Sequence, residues 1–150
     1  MSDLGELYQE LIVDHSKRPR NFGKMEGANH EATGYNPLCG DKVTVYLKVE
    51  NGVVQEVQFQ GVGCAISTAS ASLMTERLKG KTQAEAEALF ETFHGLVTEG
   101  KTGADAKEQL GKLRAFSGVK DFPVRVKCAT LPWHTLRAAL RGEEPDISVE

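Results

Sequence analysis

From Val43 to Phe59 the chain alternates in a way that allows little besides paired strands. Val43, Val45, Leu47 and Val49 fall at every second position, Asn51-Gly52 follows, and Val53-Val54-Gln55-Glu56-Val57-Gln58-Phe59 runs back. Successive side chains of a strand point to opposite faces, so this spacing gathers the valines and leucine on one side. Asn-Gly tolerates the positive φ angles of a two-residue turn, which makes the pair an antiparallel hairpin with one apolar face. Several helices are available to cover that face. Leu4, Leu7, Tyr8, Leu11 and Ile12 recur at helical spacing until Pro19 and Gly23 interrupt, and Leu73, Met74 and Leu78 mark a second apolar stripe that Gly80 ends. Thr82 and Glu85 form a capping box ahead of QAEAEALFETF. Pro123 suits the first position of a later helix, and Leu136, Ala139 and Leu140 suit a terminal helix that ends near Gly142, with Pro132 as the break between the two.

A third strand is expected near residues 60–64. The fold class is therefore α+β, a small antiparallel three-stranded sheet with helices packed on one face. Glycines and interspersed charges between Leu96 and Lys112 predict a surface insertion over 96–112, holding a short helix near Ala106 to Leu113. No linker or repeat divides the chain, and 150 residues form one expected domain, 1–150.

Net charge of −3 with both signs interspersed provides no footprint for nucleic acid and no basic tail for a membrane surface. No run approaches the roughly 18 apolar residues of a membrane span, and MSDLGELYQE is acidic and amphipathic rather than a basic leader, so a cytoplasmic location is expected. Three cysteines cannot all pair within one chain, and a reducing compartment disfavours disulfides in any case.

Each cysteine stands at the end of an element. Cys39 precedes the first hairpin strand in NPLCGD, Cys64 falls where the sheet gives way to a helix, and Cys128 lies early in a late helix. Asp41 follows Cys39 by two positions. Spacing leaves two readings open: the thiols converge with the carboxylate on one cation, or they are small buried hydrophobes. If they converge, three thiolates and one carboxylate suit tetrahedral Zn²⁺ and leave the site net anionic, with electron-rich sulfurs able to act as nucleophiles. The hard carboxylate among soft thiolates marks an exchangeable position.

DHSKRPRNFG after the first helix, NPLCGD, GVGC followed by AIS and a small-residue helix ending in KGKT, and the late KCATL occur in order along nearly the whole chain. In this ordered set the sequence resembles the SufU-type sulfur-relay proteins of the IscU-like iron–sulfur cluster assembly family. The resemblance implies Cys39, Asp41, Cys64 and Cys128 as the metal-site residues. It further implies a cysteine desulfurase partner that delivers persulfide sulfur, and downstream iron–sulfur assembly machinery. The scaffold branch carries a histidine directly before the last cysteine, where this chain has Lys127, and it lacks the 96–112 segment. Both differences favour a zinc-dependent sulfurtransferase with Cys39 as the nucleophile. The alternatives are a scaffold on which the same cysteines build a [2Fe–2S] cluster, and a purely structural zinc module. Arg125 and Lys127 stand close enough to Cys128 in sequence to offset the site's negative charge.

The four histidines form no ligand pair. His15 is expected at a helix end, where it interacts with the dipole, and His30, His94 and His134 in polar surroundings. Trp133 is read as packing rather than as a partner contact, and the SKRPR run as a solvated loop.

Overall fold

The computed structural model describes residues 3–38, 40–100, 103–142 and 146–148. Helix α1 (Asp3–Lys17) leads into a sheet of β1 (His30–Asn36), β2 (Asp41–Glu50) and β3 (Val53–Val62). Helices α2 (Ala65–Leu78), α3 (Gln83–Glu99) and α4 (Ala104–Leu110) follow, then a 3-10 stretch (Gly111–Asp121), α5 (Pro123–Arg141) and a short β4 (Asp146–Ser148). The strand order is β3-β2-β1-β4, antiparallel through β1, β2 and β3, with β4 added parallel to β1 at the edge.

The hairpin forms where the alternation places it. Asn51 and Gly52 take φ of 54° and 75°, and Val45 pairs with Phe59 across β2 and β3. The inward residues Val43, Val45, Leu47, Val57 and Phe59 are buried together with Leu73, Met74 and Leu78 of α2 and Leu131 and Leu136 of α5. A second layer of the core lies behind α5, where Phe93 of α3 stacks on Trp133 at 4.7 Å and meets Phe116 edge-on. The capping box at Thr82 and Glu85, Pro123 at the start of α5 and left-handed Gly142 at its end all form as expected.

Four expectations change. The third antiparallel strand is β1, not a strand near 60–64, because the return strand continues unbroken to Val62. The inward side chains of β1 are Ala32 and Asn36 with Gly34 between them, so it shows no apolar alternation. It is small there because α5 presses close: a Cβ on Gly34 would lie 2.2 Å from Thr135 Oγ1. Pro132 does not break the terminal region, and α5 is one helix with the proline inside it. An interior proline costs roughly 3 kcal/mol, and the buried Leu131, Trp133, Leu136 and Leu140 on both sides of it offset that cost.

The segment over 96–112 is only partly at the surface. Leu96, Val97 and Leu110 are fully buried, and so are Leu113 and Phe116 beyond it, whereas Lys107, Glu108 and Gln109 are exposed. Its short helix begins at Ala104 and passes at Leu110 into the 3-10 stretch. Arg77 of α2 fastens the junction by donating to the carbonyls of Glu108 and Gln109 at the end of α4.

His15 stands in the last turn of α1 as expected but is buried, and His134 lies among aromatic rings rather than in polar surroundings. His15 is 1% exposed, its Nδ1 2.6 Å from Ser72 Oγ, and Ser72 Oγ also accepts from the Arg20 backbone N–H. Part of the SKRPR run is thereby tied down, with Arg20 also paired to Asp14 at 2.7 Å. His134 packs edge-on against Phe90 and beside His94, and burial holds its imidazole well below the usual range, at about 4.

The close of the sheet depends on one glycine. Gly61 has φ of 153°, and a Cβ there would sit 2.0 Å from the Lys42 carbonyl oxygen. The Gly61→Ala variant is therefore expected to lose about 2–3 kcal/mol, since either the backbone or the β2–β3 pairing must yield. Urea denaturation measures it, and a midpoint unchanged from the parent would refute this account of the strand end.

Candidate metal centre

The hairpin, the start of α2 and the second turn of α5 meet at one end of the sheet. Asn36 pairs with Asp41 across β1 and β2, and Pro37, Leu38 and Gly40 stand between the two strands. Asn36 Oδ1 accepts from the Leu38 N–H, the Gly40 N–H donates to the Asn36 carbonyl, and Gly40 takes φ of 74°. Asn and Gly suit these positions because one supplies a side-chain acceptor and the other the left-handed backbone. The turn delivers Asp41 to the first position of β2, where it is 2% exposed.

Asp41 then fixes Cys64. Its Oδ1 accepts the Cys64 backbone N–H at 3.0 Å, and its Oδ2 lies 3.7 Å from Cys64 Sγ. Cys64 is the N-cap of α2, and its sulfur accepts the Ser67 N–H at 3.5 Å. Cys128 reaches the same place from α5, almost fully buried. The ligand atoms of Asp41, Cys64 and Cys128 all lie within 4.8 Å of one another. Cys39, the other expected ligand and the expected nucleophile, lies outside the described residues.

The donor set fits a tetrahedral ion. With Zn–S near 2.3 Å and Zn–O near 2.1 Å, two ligands at a tetrahedral angle stand about 3.6 Å apart, and the Cys64 Sγ to Asp41 Oδ2 separation is 3.7 Å. Cys64 is also prepared as a thiolate. The hydrogen bond from the Cys128 thiol lowers its pKa to about 7, helped by the Ser67 N–H and opposed by burial and by the Asp41 charge. The Cys128 thiol moves the opposite way, pushed up by the same hydrogen bond, by burial and by Asp41. A divalent ion bound here would displace the protons that these thiols hold.

This yields a measurable pH dependence. The Cys64 thiolate prevails above pH 7 and is lost as pH falls through that value, whereas a free thiol titrates near 8.5. Alkylation of Cys64 in metal-free Cys39→Ser protein is expected to show a midpoint near pH 7. A midpoint of about 8.5 or above would contradict the Cys64–Cys128 pairing.

The Arg125 guanidinium lies over the Phe122 ring at 4.7 Å. Among the described residues, neither Arg125 nor Lys127 forms a hydrogen bond or ion pair with Asp41, Cys64 or Cys128 through its side chain.

A model of the NifU-like N-terminal domain matches residues 7–129. The chain belongs to that family. Over 143 residues it is 38% identical to the zinc-dependent sulfurtransferase SufU of Bacillus subtilis, covering 95% of each chain. It is likewise 38% identical, over 141 residues, to the iron–sulfur cluster assembly scaffold protein IscU of Streptococcus pyogenes, covering 94% of this chain and 87% of the relative. The crystal structure of SufU from Fervidobacterium islandicum superposes with a TM-score of 0.82 at 40% identity, covering 90% of this chain and 97% of that one. Among the described residues of this NifU-like domain, no helix is long and apolar enough to cross a membrane.

Within the NifU-like domain, three supporting residues escaped the sequence reading. Asn36 shapes the turn, and the Asn-Pro dipeptide is the signal that could have found it. Ser67 donates to the Cys64 sulfur, and Gly63 leaves room for it, since a Cβ there would lie 3.1 Å from Ser67 Oγ and 3.5 Å from Asp41 Oδ1. Cysteine is an uncommon N-cap, so the capping by Cys64 had only the strand-to-helix junction to announce it.

Proposed function

We propose that this protein accepts persulfide sulfur from a cysteine desulfurase and passes it on to iron–sulfur cluster assembly, with Zn²⁺ held by Cys39, Asp41, Cys64 and Cys128. The observation that carries the proposal is the meeting of Asp41, Cys64 and Cys128, with ligand atoms within 4.8 Å of one another. When bound, zinc supplies charge that keeps the thiols deprotonated at neutral pH.

The chain's own residues divide the remaining tasks. Cys64 and Cys128 anchor the site from two helices, and Asp41 orients Cys64 through its backbone N–H. In sequence Cys39 falls between Leu38, which is 64% exposed, and the left-handed Gly40. As a thiolate it attacks the outer sulfur of the donor's persulfide. A new S–S bond forms on Cys39, the old one breaks, and the donor cysteine leaves as thiolate, with no net oxidation or reduction. Lys127 in place of a ligating histidine favours this reading over a cluster scaffold, although the S. pyogenes relative is named as a scaffold.

Zinc-loaded protein mixed with a cysteine desulfurase and cysteine, then alkylated and digested, tests it. One added sulfur atom is expected on the peptide containing Cys39. A visible [2Fe–2S] chromophore formed from iron and sulfide, with Cys39 unmodified in the iron-free reaction, would favour the scaffold instead.

A further inference from the structure

Beside the thiols a groove of about 540 Å³ opens between α1, the 3-10 stretch and the start of α5. Ile12 and Val13 form one wall, Ala115 and Val119 the other, and Ile66 closes the end nearest the site, one turn or less from Cys64. Its volume lies in the range of built binding clefts rather than packing defects. Arg125, three residues before Cys128, is the one charged residue among the described lining residues. Its guanidinium rests on the Phe122 ring and, among the described residues, makes no hydrogen bond or ion pair. That planar fork offers donors that suit an incoming carboxylate.

We propose that this groove docks a segment of the sulfur-donating protein that carries apolar side chains and a carboxylate, the carboxylate pairing with Arg125. The assignment rests on the sulfur-acceptor reading above. Two features select this occupant. An otherwise uncharged groove with a single cation favours an acidic apolar segment and repels a basic one. The groove is also lined by Ile66 and Arg125, two and three residues along the chain from Cys64 and Cys128, so a donor presenting its persulfide at the thiols approaches from the groove's side. The 3-10 stretch, which builds one wall, becomes a specificity element: it adds contact area without touching the reacting sulfurs.

Gly118 provides a clean test. It lines the groove, its φ is not in the left-handed region, and a Cβ there meets nothing within 4 Å. A Gly118→Trp variant therefore obstructs the groove without overpacking the fold, and Gln9→Trp does so from the exposed face of α1. The measurement is the rate of alanine formation by a cysteine desulfurase, as the concentration of zinc-loaded protein is raised. Both variants are expected to raise the half-saturating concentration about tenfold or more while leaving the maximal rate and the zinc content unchanged. Arg125→Glu is expected to do the same at low salt, with the defect shrinking as salt is added.

Half-saturation within twofold of the parent in both tryptophan variants, with the parent strongly stimulating, would overturn the docking assignment and leave the sulfur-acceptor reading standing. No stimulation by the parent would remove both. A parent that self-associates, with monomers restored by Gly118→Trp, would assign the groove to a second copy and overturn the proposal.

Discussion

Replacing Cys64 by serine is expected to leave the chain folded and to lower its zinc affinity by two orders of magnitude or more. Cys64 does two jobs that this substitution separates. It caps α2, with its sulfur accepting the Ser67 N–H, and it provides one of three clustered ligand atoms. Serine is a preferred N-cap, so the helix start is retained. Its hydroxyl is not ionised at neutral pH and is a hard donor, so the soft anionic ligand is lost. Zinc content after dialysis against a competing chelator measures the effect, with far-ultraviolet circular dichroism to show that the fold persists. Zinc retained at the parent level in folded Cys64→Ser protein would exclude Cys64 from the metal site.

The second large effect lies in the core rather than among the ligands. Trp133 is 1% exposed, stacks on Phe93 at 4.7 Å and donates its indole N–H to Ser70 Oγ at 3.1 Å. Trp133→Ala removes that packing and leaves a cavity, at a cost of about 3–5 kcal/mol. Set against a typical domain stability of about 5–15 kcal/mol, this is a large share. Trp133→Phe keeps most of the ring and loses the hydrogen bond, so it is expected to cost about 1–2 kcal/mol. Urea midpoints of the two metal-free variants test the ranking, and a Trp133→Ala midpoint close to the parent would refute a core role. Because Trp133 and Cys128 share α5, zinc is expected to recover part of the loss, as any ligand does that binds only the folded chain.

How far the sequence could be read followed from where its signals are local. The hairpin was legible because Val43 to Phe59 alternates and Asn51-Gly52 permits only a tight turn. Thr82 with Glu85, and Pro123 with Gly142, were legible because helix ends are settled by their own neighbours. Strand β1 was hidden because its inward positions are Ala32, Gly34 and Asn36, and what selects them is the approach of Thr135 from a helix a hundred residues later. The proline inside α5 misled for a related reason: a local rule for stopping helices was outweighed by burial on both sides of Pro132. Interspersed charges around 96–112 masked Leu96 and Leu110, each of which is buried only because the neighbouring helices are in place.

The site shows the same division. Nothing in the spacing of Asp41, Cys64 and Cys128 required them to meet, since they lie on three different elements. Only the ordered resemblance implied the set, and the fold brings those three together. Arg125 shows the limit of arguing from sequence proximity. Three residues from Cys128 on a helix, it lines the groove and rests on Phe122 rather than contacting the carboxylate.

The central claim is that Cys39 receives sulfur at a zinc site. Its most direct test is the rate of alanine formation by a cysteine desulfurase, with and without the zinc-loaded protein, in the absence of iron. Strong stimulation that disappears in Cys39→Ser is the predicted result. Equal rates with and without the protein, or full stimulation by Cys39→Ser, would contradict it.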